Sequence, residues 1–172
     1  MIKIKKLEDF SSQKIKTFEE TLKEVNEFKK KGKKIGLCVG GYDLLHPGHM
    51  KHLNSAKKYC DILIVAITAD KFNSIRKGSG RPIYPEKLRA FSVSQLESVN
   101  LVFISNYPGA LEAIQSIKPD FYIKGPDYVE KETPGITSER QAIASIGGEI
   151  KYTKDEKLST TEIIDHIKDG ER

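Results

Sequence analysis

Apolar positions along the chain follow two periods, and the switching between them divides it into alternating helices and strands. Phe18, Leu22, Val25 and Phe28 are spaced by four and three within the charged stretch Thr17 to Lys31, which predicts a helix with one apolar stripe packed on the body. Ile35 to Val39 is a short unbroken apolar run and reads as a buried strand. Asp61 to Thr68, containing Ile-Leu-Ile-Val-Ala-Ile, reads as a second, of the kind covered on both faces in a parallel sheet. Between them Pro47 suits the first turn of a helix that continues through Met50, Leu53 and Ala56. Pro85 opens a helix through Leu88, Phe91, Val93 and Leu96, and Val99 to Ser105 is the next strand. Pro108 starts a helix facing inward through Leu111, Ile114 and Ile117, and Phe121 to Ile123 is a fourth strand. A helix from Ser138, with a capping box to Gln141, ends at Gly147-Gly148 before a fifth strand at Glu149 to Tyr152. Ser159 with Glu162 caps the last helix, which runs through Ile163, Ile164 and Ile167. Asn73 to Arg81 has no apolar period; polar, basic and glycine-bearing, it predicts a mobile loop at the carboxyl end of the second strand.

This alternation predicts an α/β fold: a Rossmann-like parallel sheet of about five strands, helices on both faces, and the site built from loops at the strands' carboxyl ends. A chain of 172 residues is expected to form one domain, 1–172, with residues 1–33 carrying a leading helix packed on it. There is no repeat and no low-complexity linker. Composition narrows the function classes. The 29 basic and 24 acidic residues give +5, and the charges are scattered, as suits a solvated surface around an anionic substrate. The basic run Lys29 to Lys34 has no interleaved aromatics, which argues against a nucleic-acid surface and for the solvated end of a helix. No stretch has the length of a membrane span and the amino terminus has no apolar signal core, so a cytoplasmic protein is expected. Cys38 and Cys60 are too few for a disulfide framework and read as small buried groups in a reducing compartment.

The candidate chemistry lies between the first strand and its helix. Gly40-Gly41 stops the strand where the backbone can turn tightly, and the first N–H groups of the helix at Pro47 have no helical partner. A phosphate at Pro47-Gly48-His49 would be held by backbone and by the helix dipole, with His46 and His49 flanking it. Two imidazoles donating to non-bridging oxygens stabilise the charge that grows on a phosphate under attack, and Gly48 lets that phosphate approach. A plain strand-to-helix turn whose histidines cap the helix is the alternative for a lone His-x-x-His, and zinc is a weaker one for want of further ligands. The preceding Gly-Gly-Tyr-Asp favours the phosphate site.

Gly40 to His49, Gly-Gly-Tyr-Asp-Leu-Leu-His-Pro-Gly-His, resembles the signature of the cytidylyltransferase-like nucleotidyltransferases, in which a Gly-x-Phe-Asp turn leads into His-x-Gly-His. The wider frame is similar to the heptose-1-phosphate adenylyltransferases, with glycerol-3-phosphate cytidylyltransferases somewhat further away. Gly80 to Ile83, Leu96 to Val99, Lys124 to Tyr128 and Ser159 to Thr161 extend the resemblance over nearly the whole chain. It implies transfer of a nucleotidyl group from a nucleoside triphosphate, ATP ahead of CTP, to a phosphorylated small molecule. Pyrophosphate would leave, Mg²⁺ would accompany the triphosphate, and the protein would form a homodimer.

The resemblance places Gly40, Gly41, Tyr42, Asp43, Gly48, Lys124, Gly125 and Asp127 at the nucleotide, together with Ser159, Thr160 and Thr161. From residue type alone Lys124 is equally a surface lysine at a strand end, and Ser159 to Thr161 are a helix cap, a role compatible with binding. Arg76, Lys77 and Arg81 are candidates to meet departing pyrophosphate, and also read as a solvated loop. Arg89 is a candidate for phosphate or for a surface ion pair; Asp43 and Asp70 either orient substrate or Mg²⁺ through water or cap backbone. His52 and His166 read as ordinary helix or surface residues. The chain departs from the heptose branch at Val39, Gly41, Tyr42, Asn100 and Pro126, so the acceptor and base are less specified than the phosphate machinery. Ile164 stands where many relatives carry a basic residue, an absence that the heptose branch often shares.

Overall fold

The computed structural model describes residues 1–77, 80–156 and 158–170, with Arg76 and Lys77 described by backbone only. Five strands, β1 (Ile35–Gly40), β2 (Ile62–Thr68), β3 (Leu101–Ser105), β4 (Phe121–Lys124) and β5 (Glu149–Tyr152), form one sheet in the order β3-β2-β1-β4-β5. Every pairing is parallel, from Ile35 against Ile62 on one side of β1 to Gly36 against Phe121 on the other. β2 is buried along its whole length, which is why its sequence has no polar alternation. Among the described residues seven α-helices connect and cover the strands: α1 (Phe18–Lys30), α2 (Pro47–Lys57), α3 (Asp70–Lys77), α4 (Glu86–Ser94), α5 (Leu111–Ile117), α6 (Pro134–Ser145) and α7 (Thr160–Gly170). No helix among the described residues is long and apolar enough to cross a membrane.

The core has two layers, one on each face of the sheet. Val25 of α1, Ala113 and Ile114 of α5 and Ala142 and Ile143 of α6 pack on Leu37, Ile64 and Phe103. Leu53 and Ala56 of α2 and Ala90 and Val93 of α4 pack on Cys38, Leu63 and Val65 from the other side. The amino-terminal segment runs along the sheet edge, where Ile15 makes a parallel bridge to Val102 and Ile2 N donates to Ile83 O. The strand order reverses at β1, so a crevice opens between the carboxyl ends of β1 and β4.

Three helix boundaries differ from the expected ones. Residues 70–77 form α3 rather than a loop. The starts of α3 and α4 cap each other: Asp70 N donates to Glu86 Oε2 at 2.7 Å and Glu86 N to Asp70 Oδ2 at 3.1 Å. α3 rests on the body through buried Asn73 while Ile75 faces solvent, so it has no apolar stripe to read. α6 starts at Pro134, one turn before Ser138, because Thr133 accepts from Ile136 N as the N-cap and Pro134 fills the first position. α5 starts at Leu111 instead of Pro108; Ala110 N donates to Glu139 Oε1 of α6, a tertiary cap with no local signal.

Candidate active site

The crevice holds a cavity of about 430 Å³ lined by the ends of β1, β2 and β4, by α2, α3 and α6, by the loops before α4 and α5 and after β4, and by the segment joining β5 to α7. Tyr42 and Leu44 have φ of 48° and 47°, the left-handed region that side chains usually avoid. This turn brings Asp43 back under the 81–84 segment, where its carboxylate accepts from Ile83 N at 2.9 Å and Tyr84 N at 3.0 Å. Arg81 Nε lies 3.3 Å from Asp43 Oδ2, and its Nη2 is buried without a hydrogen-bond partner among the described residues. Gly41 is needed for space: a Cβ there would lie 2.9 Å from the Asn73 amide.

His46 is the N-cap residue of α2, but its side chain makes no capping bond. The ring instead stacks on His49 with centroids 3.8 Å apart, and neither ring nitrogen has a hydrogen-bond partner among the described residues. Burial holds the His46 pKa below its ordinary value, so the imidazole is neutral at pH 7 and offers one N–H. Tyr42 packs against His49 with ring centroids 5.3 Å apart and planes tilted by 59°. At Gly48 a Cβ would lie 2.9 Å from that of Leu158 and 3.1 Å from the His46 ring, so only glycine lets the β5–α7 segment close on the histidines. Thr160 Oγ1 donates to Asp43 O at 2.8 Å, which ties the start of α7 to the glycine turn. Ser159 and Glu162 form the expected capping box.

Lys124, at the end of β4, enters the cavity already paired, with Nζ 3.0 Å from both Glu139 Oε2 and the Tyr122 hydroxyl and 4.0 Å above the Tyr128 ring. Burial and Glu139 push the Tyr122 pKa well up, so its hydroxyl stays protonated and donates to that carboxylate. Gly125 and Asp127 line the same wall, and a Cβ on Gly125 would meet Asp127 Oδ1 at 2.8 Å.

The predicted constellation is thus largely brought together: Gly40, Gly41, Tyr42, Asp43, His46, Gly48, His49 and Arg81 line one cavity with Lys124, Gly125, Asp127, Ser159 and Thr160. Two residues fall elsewhere. Thr161 is exposed and outside the lining. Arg89 is fully buried behind the glycine turn, where it donates to the carbonyls of Tyr84, Gly41 and Thr68 and pairs with Asp70 at 2.7 Å. It braces the turn and has no face towards a ligand. The side chains of Arg76 and Lys77 lie outside the described residues. Of the departures from the heptose pattern, Val39, Gly41, Tyr42 and Pro126 line the cavity, whereas Asn100 holds Leu63 N at the opposite end of the sheet.

Among the polar lining residues that sequence reasoning did not assign to the site are His52, Asn73, Glu139 and Asp155. His52 had a local signal, because His49 and His52 at i, i+3 share a helix face. Asn73, Glu139 and Asp155 had none. Among the described residues no group of three His, Cys, Asp or Glu side chains is placed to hold a metal ion. Asp43 and Asp70, the two candidate carboxylates, are occupied by backbone amides and arginines. The described side chains therefore do not form a magnesium cage.

Comparison with known proteins adds three findings. A family model described as Cytidylyltransferase-like matches residues 37–166. The chain is 38% identical over 164 residues to the Bifunctional protein HldE of Aliarcobacter butzleri, covering 94% of this chain and 33% of the relative. It is 36% identical over 156 residues to the same-named protein of Nitratiruptor sp., with 90% and 32% covered, so it spans about a third of the length of these relatives. Among solved structures, the lipopolysaccharide core biosynthesis protein from Thermoplasma volcanium superposes with a TM-score of 0.58 at 25% identity, over 74% of this chain and all of that one. Pantoate-beta-alanine ligase from Francisella tularensis, at 18% identity and TM-score 0.57 over 94% of this chain and 79% of that one, shares the fold.

Proposed function

The chain belongs to the cytidylyltransferase-like family of nucleotidyltransferases, and from that premise we propose that it transfers a nucleoside monophosphate from a nucleoside triphosphate, ATP foremost, to a phosphorylated sugar such as heptose 1-phosphate. The observation that carries this reading is the stacked pair His46 and His49 at the start of α2, with His46 unpartnered inside the cavity. A phosphate oxygen of the acceptor attacks the α-phosphorus and forms a new P–O bond. The bond to the β-phosphate oxygen breaks, and its electron pair leaves with pyrophosphate. His46, His49 and the first amides of α2 donate to the α-phosphate oxygens as charge grows on them, while Arg81 stands ready for the departing phosphates. Arg76 and Lys77 belong to the same proposal through their place on α3. Magnesium enters as part of the metal–triphosphate substrate, and no step is assigned to it.

A homodimer acting on small molecules, without nucleic acid or membrane, completes the proposal. The cytoplasm is its setting, since unpaired Cys38 and Cys60 suit a reducing compartment. The test is pyrophosphate release with each of the four nucleoside triphosphates against a panel that includes heptose 1-phosphate and glycerol 3-phosphate. Turnover of ATP with heptose 1-phosphate is expected. Turnover with CTP and not ATP would make the enzyme a cytidylyltransferase with the same mechanism, and no turnover with any pair would leave a nucleotide-binding module.

A further inference from the structure

Away from its phosphate end, the cavity continues along α2, which turns two more polar side chains towards the segment after β5. His52 Nδ1 lies 2.9 Å from Thr153 Oγ1, and Ser55 Oγ donates to Asp155 Oδ1 at 3.0 Å. His52, Thr153 and Asp155 all line the cavity. The second carboxylate oxygen, Asp155 Oδ2, is buried and has no hydrogen-bond partner among the described residues. An ionised carboxylate only accepts, and burying one of its oxygens without a donor is unfavourable, so this end of the cavity favours a ligand that brings an N–H or O–H.

Position selects which ligand group that is. Ser55 lies roughly 12 Å along the axis from Pro47, at 1.5 Å per residue. That is comparable to the reach from a nucleotide's α-phosphate to the far edge of its base, and beyond the reach of its ribose hydroxyls. The acceptor has other room: Ala110, Tyr122, Ile136 and Glu139 line the part of the cavity built by the α5 and α6 side of the sheet. We infer that Asp155, held by Ser55 and flanked by His52, accepts a hydrogen bond from the exocyclic amino group of the donor's base, so that the site selects adenine by its 6-amino group or cytosine by its 4-amino group over bases that carry an oxo group there. The inference rests on the nucleotide-donor reading above.

Two matched pairs of ligands test it by calorimetric titration of the whole chain: ATP against purine riboside 5′-triphosphate, and CTP against pyrimidin-2-one riboside 5′-triphosphate. Each pair differs only in the amino group. In the pair it binds better, the wild-type protein should prefer the amino-bearing member by about tenfold or more, as for a hydrogen bond to a charged group. Asp155→Ala should bind both members of that pair within about twofold of each other. If that variant does not fold, Asp155→Asn, which keeps the volume and one acceptor but loses the charge, should reduce the preference to about threefold. Equal wild-type affinities within both pairs, or a preference that survives substitution, would overturn the inference while leaving a nucleotide site. Failure of every triphosphate to bind would overturn the nucleotide reading and the inference with it.

Discussion

His49, stacked on His46 at the start of α2, is placed to act most strongly when charge appears on the α-phosphate. His49→Ala should therefore lower kcat at least about a hundredfold while triphosphate affinity stays within several-fold, measured by steady-state kinetics and titration. Unchanged kcat would remove the assigned role. Arg89 makes the opposite prediction. It is fully buried and satisfies three carbonyls and Asp70, so Arg89→Met should cost about 3–5 kcal/mol and lower the melting temperature by about 10 °C or more. A variant of wild-type stability with weakened phosphate binding would return Arg89 to the ligand. His52 carries a pH dependence. Burial lowers its pKa below the ordinary 6.5, against the pull of Asp155 and Asp127, so the unfolded chain takes up the proton first as pH falls. Its contribution to stability is complete above about pH 6.5 and is lost as pH falls from there towards the folded pKa. Melting curves across this window should be flatter for His52→Gln than for wild type.

At the scale of single elements, caps decide where the helices begin, and they differ in what they draw on. α1 starts with a local capping box: Thr17 Oγ1 accepts from Glu20 N at 3.1 Å and Glu20 accepts from Thr17 N at 2.8 Å. Thr17→Ala should cost about 1 kcal/mol and a few degrees of melting temperature with no change in turnover, because α1 lies away from the cavity. A large loss of activity at unchanged stability would show that α1 communicates with the site. The capping box at Ser159 is equally local and was legible in the sequence. The mutual cap of α3 and α4 joins Asp70 to Glu86, and the cap of α5 joins Ala110 to Glu139; neither pair is close enough in sequence to be seen as a unit. These are the places where the expected loop at Asn73 and the expected helix start at Pro108 gave way.

Taken as a whole, the molecule places its cavity where the glycine turn, α2, the end of β4 and the start of α7 converge, so a ligand there bridges the two halves of the sheet. α7 is exposed along most of its length, and Thr160 bonds it to the glycine turn. Triphosphate at a hundred times its dissociation constant should stabilise the fold by about 2.7 kcal/mol and raise the melting temperature by about 5–10 °C. Slower amide exchange at the start of α7 should accompany the shift, and a bound ligand that leaves α7 exchange unchanged would separate that helix from the site. The alternation of elements, the parallel sheet, the glycine turn with its two histidines and the cap of the last helix all followed from residue order. Periodicity and capping act over a few residues, so they can be read along the chain. Packing in the folded chain, by contrast, sets Arg89 to brace the turn instead of meeting phosphate, occupies Asp43 and Asp70, pairs Lys124 with Glu139, and turns His52 and Asp155 to the cavity. Each of these depends on pairing between residues far apart in sequence, where burial and the need to satisfy every buried polar group, rather than residue type, assign the role.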